Sequence, residues 1–91
     1  MKEKNKEERY NTPEISKNEA SKLLKQNMDI IVENINTLLL KKKMNQSELA
    51  YAIKSDRGHV SYILRSKIGI TVNVLGRIAK ALDVPLTELV K

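Results

Sequence analysis

The sequence predicts an all-α domain built from short helices, and three observations carry that reading. The apolar side chains are mainly Leu, Ile and Val, with three Tyr and neither Phe nor Trp; an aliphatic inventory suits helix packing better than a sheet, which favours aromatic residues. Residues of N-cap type stand just ahead of apolar segments at Ser16, Asn45, Asp56 and Thr71, where a side-chain oxygen can accept the free amides of a helix start. Ile31, Ile35 and Leu38 recur at intervals of four and three, which places them on one helix face. A chain of 91 residues has room for one such domain and one modest core.

Taken in order, residues 1–14 are polar, carry charges of both signs and show no apolar period, so a mobile tail is expected there. Ser16 and Glu19 fit a capping box that opens a short helix over 17–26, with Ala20, Leu23 and Leu24 on its apolar side. A longer helix is expected over 28–43. Asp29 suits its positive start and Lys41, Lys42 and Lys43 suit its negative end. Asn45 with Glu48 forms the next capping box, and Met44 and Leu49 stand where a hydrophobic staple would sit. That helix should end near Lys54. Asp56 caps a helix over 57–65, with Val60, Ile63 and Leu64 apolar. Thr71 caps a helix over 72–82, and Pro85 suits the first position of a terminal helix ending near Leu89. The organisation expected is a polar tail with a short helix over 1–27 and a helical domain over 28–91.

Composition narrows the function. No Cys is present, which removes disulfides, thiolate catalysis and Cys-based zinc sites. His59 is the one histidine, and no acid, nucleophile or ligand set surrounds it in the sequence. No Gly-rich phosphate loop follows a strand. These absences argue against an enzyme and call for no metal and no cofactor. The N-terminus lacks an apolar signal core, and the longest purely apolar run is Leu38-Leu39-Leu40, so a soluble cytoplasmic protein is expected. The net charge is +6 and unevenly spread: residues 41–67 hold seven basic side chains against Glu48 and Asp56. A concentrated basic stretch suggests a polyanionic partner, although a Lys-rich surface could carry the same charge.

The stretch "NQSELAYAIKSDRGHVSYIL" explains why the charge gathers there. Lys54-Ser55 is a tight turn between two short helices, which must then cross steeply. Ala50 is small where the second backbone approaches, and Val60 turns inward. Arg57, Gly58, Ser61, Tyr62 and Arg65 are left outside. This arrangement is a helix-turn-helix, whose second helix can enter the major groove of DNA.

From Ile31 to about Leu89 the chain resembles the lambda-repressor-like, Cro/C1-type helix-turn-helix proteins of the XRE family. "NQSELAYAI" matches the first helix of the family's motif, "DRGHVSYIL" its recognition helix, and "LGRIAKALDVPLTEL" its two last helices. The resemblance implies a five-helix lambda-repressor-like domain, here with an extra N-terminal helix. It departs from the family at Lys54, where a turn glycine is usual, after the recognition helix, and at Leu39 and Leu40, where polar surface residues are usual. By resemblance, Arg57, Gly58 and Tyr62 face base edges. Arg57 can take the two acceptors of a guanine, or instead hold a phosphate. Gly58 either lets the backbone approach DNA or is simply tolerated in a first turn. Tyr62 meets a thymine methyl or a phosphate, or packs on its neighbours. Lys43, Asn45, Gln46, Ser47, His59, Ser61, Arg65, Lys67 and Asn73 are candidate phosphate contacts, His59 equally readable as an ordinary surface residue. Such contacts set position and not sequence.

The function implied is a transcriptional regulator, of repressor type, bound to double-stranded DNA at the nucleoid. One domain offers few base contacts, so a homodimer on a palindromic operator is expected. A different class stays open: an antitoxin-type protein whose main partner is another protein, reached through residues 15–40. Its motive is the extra helix and the apolar stripe of Val32, Leu39 and Leu40, which the same chain, a second copy or another protein could cover. A homodimer is the preferred cover.

Overall fold

The computed structural model describes residues 16–90, so the tail expected over 1–14 lies outside the described residues. It consists there of six helices: α1 (Lys17–Gln26), α2 (Met28–Lys41), α3 (Gln46–Ala52), α4 (Arg57–Ser66), α5 (Val72–Leu82) and α6 (Thr87–Val90). None of them is long and apolar enough to cross a membrane.

Four of the six starts follow a side-chain cap, whereas Asn27 ahead of α2 makes none. Ser16 Oγ accepts the Glu19 amide at 3.1 Å. Asn45 and Glu48 form the full reciprocal box, at 2.8 and 2.9 Å. Asp56 accepts the His59 amide at 2.8 Å and Thr71 the Val74 amide at 3.1 Å. α1 and α5 end where expected, at Gln26 and Leu82, but two ends depart from expectation. α2 stops at Lys41 and α3 at Ala52, earlier than a run of good helix formers suggests. The reason lies in the backbone: Lys43, Lys54, Lys67 and Asp83 all take left-handed conformations, with φ of 55°, 60°, 63° and 60°.

These residues close the helices as glycine usually does. After α2, Lys43 N–H donates to Leu40 C=O and Met44 N–H to Leu39 C=O; after α3, Lys54 N–H donates to Tyr51 C=O and Ser55 N–H to Ala50 C=O; after α5, Asp83 N–H donates to Lys80 C=O and Val84 N–H to Ala79 C=O. All three are Schellman closures. α4 ends more simply, with Lys67 N–H donating to Ile63 C=O at 2.8 Å. The turn between α3 and α4 therefore keeps the left-handed shape despite carrying lysine.

One aliphatic core joins the helices. Ile31, Ile35, Leu49, Val60, Leu75, Ile78, Leu82, Leu89 and Val90 are fully buried, and none of the described polar side chains is. Ala50, on α3, is also buried, and α3 packs most extensively against α4. Pro85 does not start α6 directly; Glu88 N–H donates to Pro85 C=O and Leu89 N–H to Leu86 C=O, a 3₁₀-type turn that leads into it. Asn34 Nδ2 donates to Leu89 C=O at 2.9 Å and Asn27 Nδ2 to Val90 C=O at 3.2 Å, so α2 and the residue just ahead of it supply the partners that this short helix cannot.

The extra helix is part of the same body. α1 packs on α2, α5 and α6, burying Ala20 and Leu24. The apolar stripe on α2 is largely covered within one chain: Val32 and Leu39 are buried, and Leu40 alone of the three is exposed, at 81%. Cover by a second copy is thus not needed for Val32 or Leu39, and Leu39 is a core residue where a surface one was expected.

Candidate nucleic-acid interface

The Asp56 cap and the left-handed Lys54 together fix where α4 begins, and thereby what α4 shows to solvent. Val60, Ile63 and Leu64 turn into the core. Arg57, Gly58, His59, Tyr62 and Arg65 are exposed, and Ser61 is half-buried at the edge. Tyr62 keeps 45% of its surface, and Ser66 Oγ donates to its carbonyl at 2.7 Å. That same hydroxyl oxygen accepts the Ile68 amide at 3.1 Å. The end of the helix is thereby tied to the loop that follows, where Gly69 takes φ of 90°.

A second structural reason for Gly58 emerges. A Cβ at this position would stand 3.2 Å from Asp56 Oδ1, the oxygen that caps α4. Glycine leaves room for the cap, whatever else it does.

Arg57 does not stand alone. It lines an open groove with Asn45, Gln46 and Ser47 at the start of α3 and with Asn36, Leu39, Leu40 and Met44 on or after α2. Four of the residues expected to meet DNA are thus brought together. Asn36 and Leu40 were missed by sequence reasoning. They are four apart and share a helix face, yet only the sharp turn at Lys43 brings that face to the start of α3. Leu40 belongs to this groove, although its sequence neighbours assigned it to a protein-binding stripe.

The remaining candidates are exposed at separate places. Lys43 lies in the turn after α2, and Asn73 in the first turn of α5. Lys67 is already engaged: its Nζ stands 2.7 Å from Asp29 Oδ1 in the first turn of α2. A phosphate contact by Lys67 would have to compete with this carboxylate.

A helix-turn-helix family model matches residues 35–89, from within α2 to the end of Leu89 in α6. No curated protein and no solved structure matches the chain. The match spans more than half the sequence and contains α3, its turn and α4 in full. By the capped two-helix motif, its packed Ala50 and this match, the chain belongs to the Cro/C1-type, XRE-family helix-turn-helix proteins, which are DNA-binding regulators.

Proposed function

We propose that the protein is a sequence-specific transcriptional repressor that binds a palindromic operator as a homodimer, with α4 in the major groove. The observation that carries this reading is the open outer side of α4. Among the described residues, α1 packs against α2, α5 and α6 and leaves Arg57, Gly58, Tyr62 and Arg65 exposed.

Arg57 reads a guanine through its O6 and N7 acceptors. Tyr62 meets a thymine methyl one turn further on, and Gly58 lets the backbone come close. Lys43, Asn45, Gln46, Ser47, His59, Ser61, Arg65 and Asn73 hold phosphates and set the register of the domain on the duplex. A second copy occupies the second half-site, about 34 Å away on the duplex.

Fluorescence anisotropy with a pool of DNA duplexes in rising salt tests the proposal. Affinity should fall linearly on a log-log scale, because binding releases counterions from the DNA and added salt opposes that release. Arg57→Ala should relax selection at one base position and cost about 1–3 kcal/mol on the preferred site. Failure to bind any duplex at low salt would defeat the reading.

A further inference from the structure

The ion pair between Lys67 and Asp29 bears on how tightly such a protein could hold DNA. Lys67 terminates α4 with φ of 63°, a conformation that lysine adopts at a cost and that tends to gather at functional sites. Glycine would close the helix without that cost. The lysine side chain does not point freely into solvent but reaches Asp29 Oδ1 at 2.7 Å, with 41% of the lysine side chain and 85% of the aspartate side chain exposed. The two residues come from opposite ends of the motif's neighbourhood: the first turn of α2 and the end of the helix proposed to read bases.

A carboxylate and a phosphodiester offer an ammonium the same thing, an exposed anionic oxygen that accepts its N–H. We propose that Asp29 is an intramolecular stand-in for a DNA phosphate: it holds the Lys67 ammonium at the end of α4 and attenuates DNA affinity. This rests on the reading of α4 as the DNA-contacting helix. An exposed pair of this kind is weak, so a phosphate can displace it. Asp29 then remains beside the DNA backbone as an unpaired negative charge. Either way the protein gains less from Lys67 than a free lysine would give. The pair also tethers the end of α4 to α2, so Asp29 positions the lysine as well as neutralising it.

The test compares four chains on one duplex across a salt series: wild type, Asp29→Asn, Lys67→Gln and the double variant. Asp29→Asn should bind about two- to five-fold more tightly at low salt. Its log-log salt slope should steepen by up to about 0.9 per protomer, the limit reached when the wild-type Lys67 stays on Asp29 and holds no phosphate. With Lys67 already Gln the steepening should vanish, and the tightening should shrink to the relief of one repulsive charge. Glu33→Gln changes the net charge equally on the exposed side of the same helix and should not reproduce the steepening. If Asp29→Asn matches wild type, or acts equally with and without Lys67, the inference is overturned while DNA binding stands. If none of the four chains binds DNA, the reading of α4 falls and this inference with it.

Discussion

Lys54 offers a direct measure of what the turn between α3 and α4 costs. Its φ is 60°, where the Cβ of an L-residue crowds the backbone by about 1–2 kcal/mol. Lys54→Gly removes that crowding. Glycine is freer in the unfolded chain, which costs back about 0.5–1 kcal/mol. The two backbone bonds that shape the turn, Lys54 N–H to Tyr51 C=O and Ser55 N–H to Ala50 C=O, need no side chain and survive. The net gain is about 0.5–1 kcal/mol. In a domain of this size that raises Tm by about 2–8 °C. Lys54 also lines a shallow groove with Arg77 and Lys80, so removing its charge could itself alter stability. Lys54→Ala controls for this, because it deletes the charge and keeps the Cβ. Thermal unfolding followed by helical circular dichroism should rank Gly above Ala. A glycine variant no more stable than the alanine variant would refute the strain argument.

Two other glycines separate stability from binding. At Gly76, exposed within α5, a Cβ would meet nothing within 4 Å, so Gly76→Ala should gain about 0.8–1 kcal/mol from helix propensity in denaturant melts and leave DNA affinity unchanged. At Gly58, alanine gains about the same propensity but crowds the Asp56 cap, whose loss costs about 0.5–2 kcal/mol. Gly58→Ala should therefore sit within about 1 kcal/mol of wild type in stability while binding DNA more weakly. Unchanged binding would show that the glycine serves the cap alone.

The starts of α3, α4 and α5 were legible because each is marked by one side chain with one job: Asn45, Asp56 and Thr71 each accept an amide three residues on. The ends of α2 and α3 were less so, because the expected stop signal is glycine and the chain uses lysine at both, Lys43 and Lys54. Lysine has good helix propensity, so nothing local announces that Lys43 turns left-handed, and at Lys54 only the family's usual glycine hints at it. Tertiary packing decides it, by drawing Leu39 and Ile53 into the core. The candidate site divides the same way. Arg57 and Gln46 could be named from the two caps. Asn36 and Leu40 could not, since their place depends on the turn at Lys43. The pairing of Lys67 with Asp29 joins residues far apart in sequence, and no periodicity predicts it. The stripe of Val32, Leu39 and Leu40 misled in an instructive way. Two of its members needed only the chain's own core, and the third belongs to the groove beside Arg57.

The most direct test follows the backbone amides by NMR as an operator duplex is added to the full chain. The account predicts that the largest shifts fall at residues 45–47 and 57–62, around the groove and the open side of α4, with α1 and α6 nearly still. Shifts centred on α1 and α6, with Arg57 and Tyr62 unmoved, would contradict it.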